Sequence, residues 1–250
     1  MSGSGIFFVL LTQPMYNLLI VCYNALAGIG VTDLGFAIIA LTVAIKLVLM
    51  PFTAKSIKAQ KAMQDLQPQL NELKEKYKDK KEEQAKAMMA IYKENHVNPA
   101  SSCLPLLVQM PILLALYNVL SRSVNDPDSI AMLYAFVPAP EAINHVFLSV
   151  VDLGARSIPL AIIAGIVQYV QAKMLETRRP PHAIAGKEGA KDESMAAAMT
   201  KSMTYTMPIV TVIFGATLPG GVTLYWLVAN LVSVLQQYVL FRKPKEISSS

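Results

Sequence analysis

Apolar residues along this 250-residue chain are gathered into blocks rather than spread evenly. Five blocks, at 34–53, 103–120, 157–175, 203–218 and 221–241, run to roughly 16–21 residues each. That is about the length a helix needs to cross a ~30 Å hydrocarbon core at 1.5 Å per residue. The pattern predicts an all-α membrane protein with five transmembrane helices. A sixth apolar stretch, 6–29, is cut by Gln13-Pro14 and made partly polar by Tyr16, Asn17, Tyr23 and Asn24. It reads as a sixth span or as an amphipathic helix lying in the interface from about residue 15 to 29, and the second reading is favoured. It carries no basic leader and no small-residue cleavage pattern, which argues against a signal peptide.

The polar segments have patterns of their own. Within 54–102, Met63, Leu66, Leu70, Leu73 and Tyr77 recur at steps of 3, 4, 3 and 4, a narrow helical seam. Pro68 is expected to start or kink a helix there. After the charged break Lys78-Asp79-Lys80-Lys81, a second helical pattern carries Met88, Ile91 and Tyr92. Together these predict an antiparallel helical hairpin. Residues 176–202, rich in Pro, Gly, Ala and charge, read as a loop. In the segment 121–156, Ile143, Val146, Phe147, Val150 and Val151 form a stripe that predicts a short interfacial helix.

Composition agrees with the membrane class: 54% hydrophobic, 16% charged, mean hydropathy +0.42. The net charge of +5 matters less than its placement. Residues 1–33 hold no Lys or Arg, and 121–156 hold two, Arg122 and Arg156. Nineteen lie in 54–99, 173–201 and the tail 242–250. Basic loops stay inside, so the N-terminus is expected outside and the hairpin, the 176–202 loop and the basic tail in the cytoplasm. Cys22 and Cys103 then fall on opposite sides, which excludes a disulfide, and no metal-ligand spacing occurs.

One charge does not fit the pattern. Lys46 stands inside the first span, where a cation costs roughly 2.5–3.5 kcal/mol on insertion scales. It lies about 10 Å by helical rise from the inner end of the span, farther than its stem bridges alone. No Asp or Glu occurs in the five spans. An unpaired cation at that depth predicts a hydrated pocket. Thr42, Lys46, Leu49 and Thr53 share one face. Other spans add Gln109 and Asn118, Gln168 and Gln171, and Asn230, Gln236 and Gln237, with Tyr225 and Trp226 on the fifth. Taken singly, such side chains more often hold helices together than bind anything. No nucleophile elbow, zinc-protease helix motif or Walker loop is present. The residues therefore indicate a protein that is not an enzyme and uses no cofactor, with a positively charged membrane cavity. An insertion factor, a small transporter or channel, and an assembly factor all satisfy that description.

Three stretches carry a family resemblance: LGFAIIALTVAIKLVLMPFTAKSIKAQKAMQDLQPQL, EEQAKAMMAIYKENHVNPASSCLPLLVQMPILLALYNVL and TMPIVTVIFGATLPGGVTLYWLVANLVSVLQQYVL. With Pro51, Gln67-Pro68, Asn98-Pro99, Gln109-Met110-Pro111, Pro219, Asn230 and Gln236-Gln237, the chain resembles the YidC/Oxa/Alb membrane protein insertase family over nearly its whole length. The resemblance implies five core helices around a polar groove open to the cytoplasm and to lipid, preceded by an external amphipathic helix. It implies substrate contacts at Thr42, Tyr225 and Trp226. The groove residues are then Lys46, Thr42, Gln109, Gln168, Gln171, Tyr225, Trp226, Asn230 and Gln237. Lys46 stands where the family usually has Arg, a point charge in place of a planar fork. Ala100-Ser101-Ser102 replaces the usual glycines. The implied partners are nascent membrane proteins, the lipid bilayer, and the ribosome, a targeting factor or a translocon met through 54–99 and the tail. The expected location is a bacterial cytoplasmic membrane, because no transit-peptide pattern precedes the core.

Overall fold

The computed structural model describes residues 5–78, 80–98, 104–121, 127–174 and 195–241. The loop reading of 176–202 falls largely outside these residues. So do the basic tail, Cys103, Pro99 and the Ala100-Ser101-Ser102 departure.

A π-helical turn at Phe8–Thr12 runs directly into α1, Gln13–Ala27. Gln13-Pro14 does not cut this helix, contrary to the sequence expectation. Pro14 falls in the first α-helical turn after the register change, where a missing N–H is tolerated. Four polar side chains of α1 reach the chain around 132–144. Gln13 and Asn17 donate to Met132 O at 3.1 and 2.9 Å, and Tyr134 N donates to Asn17 Oδ1 at 2.7 Å. Asn24 donates to Pro138 O at 2.8 Å and Tyr23 to Ala142 O at 3.1 Å. Met15, Leu19 and Ile20 of the same helix are buried in the main core.

Helix α2, Leu34–Asp65, extends 32 residues without a break, twelve beyond the predicted end of the first span. Pro51 lies within it. Asp33 caps its start, accepting from Gly35 N at 2.7 Å. Pro68 opens α3, Gln67–Lys76, and α4 spans Lys81–Glu94. Leu66, Leu70 and Tyr92 are buried between α3 and α4, flanked by Met63, Met88, Ile91 and Val97, in a core separate from the main one. Burial pushes the Tyr92 hydroxyl above the ordinary tyrosine range.

The remaining helices are α5, Leu104–Leu120; the single turn α6, Pro127–Ile130; α7, Ile158–Met174; α8, Met195–Thr217; and α9, Gly220–Phe241. By length and composition, Phe8–Ala27, Leu34–Met63 and Gly220–Phe241 can each cross a membrane; Leu107–Leu120, Ile158–Met174 and Thr204–Thr217 are shorter apolar helices. The main packing pairs α7 with α8, α7 with α9, and α2 with α9. One core of buried residues from α1, α2, α5, α7, α9 and the 132–153 segment holds the bundle together.

The short helix expected around 143–151 is not there. Instead β1, Val146–Phe147, pairs antiparallel with β2, Val151–Asp152. Period 2 beats period 3.6 because the Phe147 side needs to face protein while Val146 and Asp152 face out. The hairpin exit pins the start of α9: Gly220 N donates to Ala155 O at 2.7 Å and Gly221 N to Leu153 O at 2.9 Å. A β-carbon at Gly220 would lie 3.1 Å from both the Ala155 and Asp152 carbonyl oxygens, so the backbones meet only because it is glycine.

Candidate functional site

The polar residues within the apolar helices fall into three groups, and α9 takes part in each. In the first, the half-buried Lys46 of α2 donates from Nζ to Ser233 Oγ of α9 at 3.0 Å. Ser233 Oγ donates onward to Ala229 O at 2.9 Å. A few residues further along, the Gln236 amide bridges back to α2, donating to Thr53 Oγ1 at 2.9 Å and to Met50 O at 3.3 Å. Among the described residues the one ion pair is Lys80–Glu83 at the head of α4, far along the chain from Lys46. Lys46 is thus held by a neutral hydroxyl. An ammonium has three N–H donors, so this bond leaves capacity for other acceptors.

In the second group, Gln109 of α5 donates to the Tyr225 hydroxyl of α9 at 2.7 Å. In the third, Gln168 of α7 accepts from Thr211 of α8 at 2.9 Å and from Asn230 of α9 at 3.0 Å. One amide oxygen therefore ties three helices together. Gln171, one turn further along α7, and Trp226, beside Tyr225, are half-buried. Gln237 is 2% exposed, and its Oε1 has no partner among the described residues. Leaving such an atom unpaired costs about 1–3 kcal/mol, so Gln237 is a polar group in want of a donor.

Not every predicted residue joins these groups. Thr42 is 0% exposed, and its hydroxyl donates to Ile38 O of its own helix at 2.6 Å. It shares the Lys46 face but does not bond to Lys46. Ser233 is the residue that sequence reading missed. Its signal was positional: it stands three residues after Asn230 and four before Gln237, on the polar face of one helix. Val48, two residues from Lys46, is 74% exposed and marks the opposite side of α2.

The family model described as 60Kd inner membrane protein matches residues 26–246, from the end of α1 to beyond the last helix. The chain belongs to the YidC/Oxa/Alb family. It is 33% identical over 213 residues to the membrane protein insertase YidC of Fusobacterium nucleatum, covering 85% of this chain and 88% of that protein. It is 32% identical over 243 residues to membrane protein insertase YidC 1 of Halalkalibacterium halodurans, covering 96% of this chain and 80% of that one. A solved structure, described as an active YidC insertase with the first transmembrane domain resolved, superposes with a TM-score of 0.58 at 25% identity. It covers 95% of this chain, which spans about half, 48%, of that longer one. Membership in the YidC/Oxa/Alb family sets the chain among bacterial inner-membrane proteins with apolar helices.

Proposed function

We propose that this protein is a membrane protein insertase: it receives hydrophilic segments of nascent membrane proteins beside Lys46 and releases their apolar helices into lipid. The observation that carries the reading is Lys46, inside a helix apolar and long enough to cross a membrane and held among the described residues by one serine, in a chain whose relatives are named insertases. In a purely structural role, such a cation would be expected to find a carboxylate. Held by a hydroxyl, it keeps donors for a passing acidic or carbonyl group.

In this reading α2, α5, α7, α8 and α9 are the five spans, with the N-terminus outside and the C-terminus in the cytoplasm. Helix α1 lies along the outer ends, because its Gln13, Asn17, Tyr23 and Asn24 side chains bond to the segment joining α5 to α7. Helices α3 and α4 project into the cytoplasm and, with the basic tail, meet the ribosome, a targeting factor or a translocon by charge. Lys46, Gln109, Gln168, Gln171, Trp226, Asn230 and Gln237 solvate the hydrophilic segment during its passage. Tyr225 and Thr42 shape the wall from buried positions. The driving force is burial of the substrate helix in lipid, aided by the membrane potential on its acidic residues. No bond is made or broken.

The test uses purified protein in vesicles with a single-span substrate released from ribosomes. A photo-crosslinker at Trp226 or Gln171 captures the arriving chain; one at Val48 captures it far less. Equal capture at all three positions contradicts a groove, and solute flux without insertion supports a channel instead.

A further inference from the structure

The β1–β2 hairpin takes no part in the proposed insertion route, yet it is held in a demanding conformation. Val150 N donates to Phe147 O at 3.0 Å, closing a turn whose central residues, Leu148 and Ser149, have φ of 52° and 59°. Turns of this kind normally use Asn, Asp or Gly, and a branched apolar residue there is an outlier. Asp33 fixes it. Its Oδ2 accepts from Leu148 N at 2.9 Å while its Oδ1 caps α2 through Gly35 N at 2.7 Å. Leu34 N donates to Asn144 O at 3.0 Å. Phe147 lies on Gly35, where any β-carbon would collide with the ring, and meets Phe36 edge-on at 5.5 Å between centroids. The hairpin is thus fastened to the first turn of α2. The result is that Leu148 and Val150 point outward, 59% and 81% exposed.

We infer that this hairpin tip is a lipid anchor, with Leu148 and Val150 seated at the headgroup–acyl boundary of the bilayer. Two observations name lipid as the occupant. Phe36 heads a stripe of exposed apolar residues on α2, continued by Val43, Leu47 and Met50 at helical spacing, on a helix of membrane length. Phe147, half-buried on Gly35 and edge-on to Phe36, links that stripe to the hairpin, and the exposed tip lies just beyond it. The height also fits. The tip bonds to Asp33, one residue before α2, so it sits at the level where the helix enters the apolar layer. Asp152, exposed on β2, lies two residues back from Val150, roughly 7 Å along the strand, enough to stay in water. Residues 123–155 carry no Lys or Arg, so the attachment is apolar rather than electrostatic. Anchored this way, the hairpin sets the depth of α2, and with it the depth of Lys46.

The test is made on the full chain without substrate, so its outcome is independent of insertase activity. A nitroxide is placed at Val150→Cys, in a background with Cys22→Ala and Cys103→Ala, and the protein is reconstituted in phosphatidylcholine–phosphatidylglycerol vesicles. Power saturation should show the label several-fold more accessible to oxygen than to a water-soluble nickel chelate. It should resemble a label at Val48→Cys and differ from one at Glu141→Cys. Nickel access equal to that at position 141 would overturn the inference by placing the tip in water. A label immobilised and shielded from both reagents would overturn it by placing the tip against protein.

Discussion

Two helix interfaces in this bundle are built on opposite principles. Helices α7 and α8 meet by having little between them. A β-carbon on Gly165 would run into Val212 Cγ2 and come within 3.1 Å of Pro208 O; one on Gly215 would lie 3.1 Å from Ala161 Cβ. Small residues let the backbones approach until dispersion does the work, the usual solution in lipid, where apolar burial gives helices no reason to associate. Helices α2 and α9 share the apolar core near their N-terminal halves and then add Lys46–Ser233, Gln236–Thr53 and Gln236–Met50 O, polar side chains that reach across. The α7–α8 seam carries the Thr211–Gln168 hydrogen bond, but its closeness is set by backbone approach at small residues. A seam of hydrogen bonds can trade partners with an incoming polar segment at little net cost. The contrast separates the part of the molecule that holds it together from the part proposed to act.

Breaking the first seam should have the largest effect. Gly165→Leu has no room beside the Pro208 carbonyl, so the folded protein should fail to accumulate in membranes; Gly165→Ala should cost about 1–3 kcal/mol in denaturant unfolding. Changing the second seam should spare folding and strike insertion. Lys46→Leu should lower insertion of a substrate with acidic flanks by about tenfold or more, while Lys46→Arg keeps most of it, measured by protease protection in vesicles. A substrate with neutral flanks should suffer less. Gln168→Leu removes the oxygen shared by Thr211 and Asn230 and should cost roughly 1 kcal/mol of stability for two interhelical bonds, read as a lower unfolding midpoint. Smallest is Ser233→Ala, one bond, expected to reduce insertion about threefold, with Ser233→Thr restoring it and with no added effect once Lys46 is Gln.

Much of this was legible in residue patterns. Block lengths marked the apolar helices, since the bilayer fixes the length a span needs. Of the 3-4 steps from Met63 to Tyr77, Leu66 and Leu70 are buried between α3 and α4 with Met63 beside them, while Leu73 and Tyr77 stand outside that cluster. Two local expectations failed, one for a local and one for a tertiary reason. Gln13-Pro14 looked like a break, but the preceding π-turn shifts the register and absorbs the proline. Residues 143–151 looked helical because five apolar residues fit a helical stripe, yet Asp33 and Gly35, more than a hundred residues earlier, supply the cap and the space that a hairpin needs. The candidate site was half legible. Lys46 announced itself by its cost, whereas Ser233 is an ordinary residue until α2 is laid against α9.

The most direct test asks whether position 46 is wet. In a cysteine-free background, Lys46→Cys and Val48→Cys are treated with a membrane-impermeant maleimide from the cytoplasmic side of intact vesicles. Lys46→Cys should react and Val48→Cys should stay unmodified, two positions separated by only two residues on the same helix. If position 46 proves as inert as position 48, the cation has no aqueous access, and a polar route past Lys46 is ruled out.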